Sequence, residues 1–470
     1  MKVTQDDTYS EHRPLSITKS DTLFLYSSVV TAELLLVATG SSMVWPSPVL
    51  GKLASNDTAT NPIGRQITTV EISMLTGIPQ FTNILGLLFC PKLSDVIGRK
   101  RYLLLAGIGM LISGVALAFS DRILYMILCR CIFGFFGVMS VVPVYVAEIC
   151  EDRNRGKFGC YTGMLHQIGH LFGFVVGPFL SVRYFTLVVT APLLVFITAF
   201  PLMPETPVYL LKHGRITECK ASLKKLRRNK NDDELELDLR RLEERLRNEP
   251  EGDVLSLLKK REHLFGLLLS LLPVMLRYSS GVTVLFTFLA PFFDSAKTGI
   301  SGDLVAIIIA IAKICFFLLT SLVVDRFGRR KMLLVSSCST AVPLFALGIY
   351  FYLHHVQSPV VEYLQWLPFT GLLATVCCFG LGVGPIPTYL MTEFFPANLR
   401  TVSGSIVNSS GNVMSFVLTF LFPIVSEELG TEWCVWFFSA NCLVGAVLIY
   451  LFLPETKGKN YSDVQKVLKR

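Results

Sequence analysis

Charge is scarce in this sequence. Asp, Glu, Lys and Arg make up 17% of its 470 residues, against 52% hydrophobic and 11% aromatic ones. A soluble domain of this size has nowhere to hide so much apolar surface, so the solvent that fits is a lipid bilayer. Metal-ligand spacing is missing too: the twelve cysteines contain no C-x-x-C pair. Cys90, Cys129, Cys131, Cys160, Cys315, Cys338, Cys377, Cys378 and Cys442 all lie in or beside apolar runs and read as small buried hydrophobes. Nothing resembles a nucleotide-binding loop, a metal cluster or a hydrolytic triad, so neither a cofactor nor enzymatic chemistry is expected. Met1 to Ser20 lack the basic start, short apolar core and small-residue cleavage site of a removable signal peptide.

Apolar runs, by contrast, recur along the chain. Crossing a ~30 Å hydrocarbon core takes about 20 mostly apolar residues in a helix. Runs of that length predict helices near 23–45, 69–91, 101–119, 123–147, 157–181, 184–204, 264–290, 302–324, 332–353, 364–391, 402–426 and 432–453. The expected fold class is an all-α membrane protein of twelve transmembrane helices. Two six-helix bundles, 23–204 and 263–454, are flanked by tails at 1–22 and 455–470 and joined by a charged linker, 205–262. Stretches of the linker such as Asp238 to Arg247 have a helical charge pattern.

The net charge of +8 does not signal nucleic acid, because the basic residues gather in alternate loops. Arg99, Lys100 and Arg101 follow helix 2, Arg153, Arg155 and Lys157 follow helix 4, and Arg326, Arg329, Arg330 and Lys331 follow helix 8. By the positive-inside rule these loops and both termini are cytosolic. The opposite loops carry Glu427, Glu428, Glu432 and the glycosylation sequon Asn56-Asp57-Thr58. Sequons at Asn408, inside a helix, and Asn460, in the cytosolic tail, are excluded by this topology.

The chain also repeats itself. Asp95-Val96-Ile97-Gly98-Arg99-Lys100-Arg101 returns as Asp325-Arg326-Phe327-Gly328-Arg329-Arg330-Lys331; Glu148 with Arg155 returns as Glu393 with Arg400; Pro204-Glu205-Thr206 returns as Pro454-Glu455-Thr456. Offsets of 230, 245 and 250 residues mark two homologous halves, the plan of major facilitator transporters, with a site between the halves near mid-membrane. Carboxylates at helix ends with arginines a turn or two away can form charge-assisted bonds between neighbouring helices, a latch that breaks on opening inward. Orientation by the positive-inside rule alone would need no carboxylate at Asp95, Glu148, Asp325 or Glu393.

These residues resemble the sugar porters, the insect facilitated trehalose transporters and their relatives among them. The marks are Arg130-x-x-x-Gly134, Pro143-x-Tyr145-x-x-Glu148, Arg155-Gly156, Pro204-Glu205-Thr206-Pro207, Asp325-x-x-Gly328-Arg329-Arg330, Gly382-x-Gly384-Pro385-Ile386-Pro387, Glu393-x-x-Pro396 and Pro454-Glu455-Thr456-Lys457-Gly458. The resemblance covers essentially the whole chain. It implies gating roles for Asp95, Arg99, Lys100, Arg130, Glu148, Arg155, Asp325, Arg329, Arg330, Glu393 and Arg400. One departure is in the first loop motif, where Pro91 and Val96 replace a glycine and a basic residue. Gly380 to Pro387 reads as a hinge in helix 10.

Such porters hold sugar hydroxyls with neutral amides, and most of those are replaced here. The helix 5 glutamine position is Gly163, with His166 and Gln167 about a turn later. On helix 7 two glutamines become Arg277-Tyr278, an asparagine becomes Thr283 and two aromatics become Thr287-Phe288. Lys313 replaces an asparagine on helix 8, Thr388 a tryptophan on helix 10, and Gly411, with Asn412 beside it, an asparagine on helix 11. The candidate binding set is therefore His166, Gln167, Arg277, Tyr278, Thr283, Lys313, Thr388 and Asn412. Twelve residues from Asp325, at about 1.5 Å each, put Lys313 ~18 Å deep, too far to snorkel. Arg277 and Lys313 are expected to face a watery cavity, with substrate or with Glu33 as their balancing partner.

His166 and His170, four apart, fit either proton shuttling or polar packing. Proton-coupled relatives carry a carboxylate near the position of Ser42; its absence favours facilitated diffusion, while Glu33 leaves coupling to protons open. The expected function is a plasma-membrane carrier for a small polar solute, a sugar such as a hexose or trehalose, working by alternating access. Its rivals are an anion carrier with a basic central site and a transport-deficient receptor. The expected partners are the solute and the bilayer.

Overall fold

The computed structural model describes residues 22–57, 60–248, 257, 261–295, 301–395 and 397–457. Among these, ten helices are long and apolar enough to cross a membrane. Spans 1 to 4 are Leu23–Val44 continued by Pro46–Leu53, Thr69–Ile97, Arg99–Ala118, and Ile123–Phe135 continued by Val138–Ile149. Spans 5 and 6 are Asp152–Val176 and Val182–Ala199. Span 7 comes in three pieces, Arg261–Ser279, Val282–Thr287 and Leu289–Ser295. Spans 8 to 12 are Gly302–Phe327, Arg329–His355, Leu367–Gly380 continued by Ile386–Phe394, Ala397–Glu428 and Thr431–Phe452. Together they make the twelve-helix major facilitator fold, two six-helix halves. Spans 5 and 10 are the two outside the ten: span 5 is too polar and span 10 is broken.

The expected hinge in helix 10 is a break in the helix between Gly380 and Ile386. Span 7 breaks at Gly281, whose φ of 73° ends one helix and starts the next, a conformation that glycine adopts without a Cβ clash. Sequence periodicity does not register such breaks because the flanking residues stay apolar.

The arginine motifs are helical rather than loops. Span 2 runs on to Ile97 and span 3 starts at Arg99, so Gly98 alone turns the corner, with φ 104°. Gly328 does the same between spans 8 and 9, with φ 88°. Each bare helix start is capped by the distant Pro-Glu-Thr motif of its own half. Glu205 accepts the Lys100 backbone N–H at 3.0 and 3.2 Å, and Glu455 accepts those of Arg329 and Arg330 at 3.0 and 3.2 Å. A carboxylate at a helix N-terminus satisfies donors that the helix leaves unpaired and meets the positive end of its dipole. The sequence repeat is thus one structural device built twice.

Spans 1 and 5 touch backbone to backbone. A Cβ on Gly40 would lie 2.3 Å from the His166 carbonyl oxygen, and one on Gly169 2.3 Å from that of Val37. Such contacts drive helix association in lipid, where apolar burial contributes little. Between the halves, span 2 meets span 11 through Phe81 and Phe416, ring centroids 5.5 Å apart, and span 5 packs on span 8.

In the linker, helices Pro207–Lys212, Ile216–Leu226 and Asp232–Asn248 include the stretch expected to be helical. The linker docks on the first half through the Thr22 hydroxyl, which donates to the Leu226 carbonyl at 2.8 Å, and through Arg227 and Lys230 on Glu151, while the same two cations hold Asp238 of the last linker helix. Cysteines are less uniform than expected: Cys90 and Cys442 are buried, whereas Cys315 and Cys338 are exposed. Exposure on a spanning helix means contact with hydrocarbon, which suits a thiol as well as burial does. The expectation on Cys160 concerns a side chain outside those described.

Candidate functional site between the two halves

Span 5 brings His166, Gln167 and His170 to the centre. The rings of His166 and His170 meet edge to face, centroids 4.7 Å apart. His170 reaches the other half: its Nδ1 lies 3.5 Å from Lys313 Nζ on span 8. The Lys313 ammonium also stands 4.0 Å from the centroid of the Phe286 ring on span 7, a cation–π contact. Lys313 is only 8% exposed.

The expected ion pair with Glu33 does not form among the described residues. Glu33 is fully buried, accepts the Thr162 hydroxyl at 2.9 Å through Oε1 and leaves Oε2 without a partner. Depth along a helix does not fix azimuth: Glu33 sits on the face of span 1 that packs against span 5. Gln167 Oε1 and His170 Nε2 are likewise buried without partners.

Arg277 is half-buried, and its NH1 donates to the Thr388 hydroxyl at 3.5 Å, joining spans 7 and 10. The Tyr278 ring lies against Gly411, where a Cβ would come within 2.4 Å of Cε2. Two departures from the amide pattern are therefore one change, since the ring occupies the space that an asparagine at 411 would need. Thr283 accepts the Thr287 hydroxyl at its carbonyl, 3.2 Å, and the Asn412 amide donates to the Asn408 carbonyl, 2.9 Å. Among the described residues, neither joins the Lys313 or Arg277 groups by a hydrogen bond.

At the end that carries the arginine motifs, Arg99 holds both Asp95 and Glu148, the latter at 3.1 Å, and Glu148 also accepts the Thr206 hydroxyl at 2.6 Å. Arg329 holds Glu393 at 3.0 Å. Both clusters lie within a half. Lys100 and Arg330, expected beside them, instead donate to the Pro201 and Tyr450 carbonyls at the ends of spans 6 and 12. A single residue after Gly98 or Gly328 turns the side chain to another face of the helix. The side chains of Arg155, Asp325 and Arg400 lie outside those described.

Arg130 belongs to the opposite, sequon-bearing end of the molecule. Its guanidinium sits 4.9 Å from the Trp45 ring and donates to the Ser42 carbonyl at 3.4 Å. This end is closed across the halves. The Ala290 N–H, at the start of the last piece of span 7, donates to the Ser47 hydroxyl of span 1 at 2.9 Å, fully buried, and Phe174 packs on Phe286 at 6.0 Å. Ser47 and Phe286 carry no signal in the sequence, because a serine and a phenylalanine in apolar runs are unremarkable there.

The family model described as sugar (and other) transporter matches residues 17–468. The chain belongs to the sugar (and other) transporter family. It is 28% identical over 432 residues to the facilitated trehalose transporter Tret1 of Culex quinquefasciatus, covering 91% of this chain and 82% of that one. It is also 28% identical over 458 residues to trehalose transporter 1 of Drosophila melanogaster, covering 94% and 52%. The chain thus spans about half the length of the fruit-fly relatives that it matches. Among solved structures, the inward open xylose transporter XylE from E. coli superposes with a TM-score of 0.77 at 19% identity, covering 94% of this chain and 99% of that one. A D-xylose-proton symporter gives 0.72 at 20%, covering 93% and 100%. Likeness at that identity establishes the fold. This sugar (and other) transporter is a multi-pass membrane protein whose two halves meet where His170 of span 5 touches Lys313 of span 8.

Proposed function

We propose that the protein moves a neutral sugar, a hexose or a disaccharide such as trehalose, across the plasma membrane by alternating access without covalent chemistry. The observation that carries this reading is the polar set between the halves, with Gln167 Oε1 buried and unpartnered, beside a closed seam at one end. A sugar hydroxyl both donates and accepts, so it suits Gln167 Oε1 on one side and the Arg277 and Lys313 donors on the other. His166, Tyr278, Thr283, Thr388 and Asn412 complete the proposed wall. The family and the names of the relatives support the solute class. The arginine motifs orient the charged end, both termini and the linker to the cytosol. Asn56, exposed beyond the end of span 1, would then face outside and carry the glycan. The clusters around Glu148 and Glu393, with Asp95, Arg99, Asp325, Arg329, Arg155 and Arg400, are proposed to act at the cytosolic gate, and Arg130 at the outer one.

Counterflow in proteoliposomes tests the solute class, with labelled trehalose, glucose and gluconate. Saturable flux of either neutral sugar supports the reading. Flux of gluconate alone would favour an anion carrier, for which Arg277 and Lys313 have the right charge. No flux of any of the three would leave the receptor reading standing.

A further inference from the structure

The seam between the halves presses two bases together. His170 Nδ1 of the first half and Lys313 Nζ of the second stand 3.5 Å apart, with the residues only 4% and 8% exposed. A hydrogen bond between an imidazole nitrogen and an amine accommodates at most one added proton. The ammonium donates to neutral imidazole, or the imidazolium donates to neutral amine. A second proton turns the bond into two like charges at contact distance.

Nothing facing the pair among the described residues offsets such a charge. His166 on the same span and Arg277 from span 7 are the charged or titratable groups that act on it, and each is a base or a cation. Glu33 of span 1 is turned to Thr162, and Glu148 of span 4 is held by Arg99 at the charged end. Span 7 contributes the Phe286 ring, which touches Lys313 and packs on both His170 and Phe174. The pair therefore abuts, from the centre, the Phe286–Phe174 contact of the closed sequon-bearing end. It sits six residues before the end of span 5 at Val176.

We propose that His170 and Lys313 form a proton-binding site that operates this gate. With one proton the site ties the halves together; a second proton, taken from water, drives the bases apart and opens the sequon-bearing end. The occupant is a proton, and no solute is needed for the gate to respond, although Lys313 is also one of the proposed sugar donors. At contact distance in a medium of effective dielectric about 20, like-charge repulsion shifts the open-to-closed ratio more than tenfold.

The test is a distance measurement across the closed end. Nitroxide labels go on Ala54→Cys and Leu429→Cys, one exposed position in each half, in the full chain with its native cysteines replaced and reconstituted in nanodiscs. Lowering the pH from 8 to 5 should move the distance distribution toward a longer, open population. His170→Asn keeps an acceptor for Lys313 but takes up no proton, and Lys313→Met removes the opposing charge. Both should stay closed at pH 5, and either suffices if the other does not fold. His213→Asn, in the linker, should respond as the parent does. A parent distribution that does not change with pH, a response that survives in His170→Asn or Lys313→Met, or one that is lost in His213→Asn would overturn the proposal.

Discussion

Replacing Ser47 with alanine removes one oxygen atom from the seam between the halves, and its consequence can be worked out from the structure. In the closed seam the Ala290 N–H has the Ser47 hydroxyl as its buried acceptor, at 2.9 Å. Being near the start of a helix piece, it has no carbonyl a turn earlier in that piece to turn to. The variant leaves that donor buried and unpaired, a cost of about 1–3 kcal/mol. Once the seam opens, water satisfies the same N–H, so the cost falls on the closed state alone. At about 1.4 kcal/mol per tenfold, Ser47→Ala should raise the open-to-closed ratio at this end by roughly 5- to 150-fold. The readout is the rate at which a membrane-impermeant maleimide, added from the sequon side, modifies Val49→Cys in a cysteine-free background. Val49 is fully buried in the closed seam. An unchanged rate in a variant that folds normally would refute the assignment of Ser47 as a tie between the halves.

Three further outcomes are expected. Gly328→Ala should destabilise the second half by about 1–3 kcal/mol, because φ there is 88° and the added Cβ would lie 2.8 Å from Glu455 Oε2; thermal unfolding in detergent measures it. In the linker, burial raises the Asp238 carboxyl, but Lys230 and Arg227 outweigh it and hold it below the ordinary range. That docking contribution is present above the unfolded value near pH 3.9 and disappears as the pH falls through the folded one. Protease sensitivity of 232–248 should therefore stay constant between pH 5 and 8 and rise in Asp238→Asn. Arg277→Gln with Tyr278→Gln and Lys313→Asn restores three amides and removes two charges. At matched surface expression it should raise neutral-sugar flux several-fold, and unchanged flux would show that these side chains do not set selectivity.

The repeat of the arginine and Pro-Glu-Thr motifs was legible because it is written in glycine, proline and charge, the residues with the fewest alternative uses in a membrane. Its structural meaning was not. That Glu205 and Glu455 cap helices more than a hundred residues upstream depends on tertiary folding that no local spacing reveals. Counting along the helix marks Lys313 as a cation too far from the helix end to snorkel, but it does not give the partner, because whether Glu33 or His170 meets it turns on which faces of spans 1, 5 and 8 pack together. The break in span 7 at Gly281 was invisible for a related reason: hydropathy continues across it.

Spans 5 and 10, the two outside the ten long apolar helices, are also the spans that bring His166, Gln167, His170 and Thr388 to the centre. This follows from the chemistry of a carrier. A helix that faces lipid is stabilised by being uniformly apolar and unbroken, since any polar group or open backbone bond left in hydrocarbon costs several kcal/mol. A helix that lines a route for a polar solute must present donors and acceptors and must bend, and it tolerates both only if protein or water covers it. Span 5 is covered by spans 1 and 8, against which it packs through Gly40, Gly169 and the His170–Lys313 contact. In span 10 the last turns before Ile386 lie against Phe316 and Phe317 of span 8, Met332 and Ser336 of span 9. The polar residues of span 5 and the break in span 10 are thus what a solute route between the halves would require. Span 8, the most apolar of the ten, reaches span 5 through Lys313.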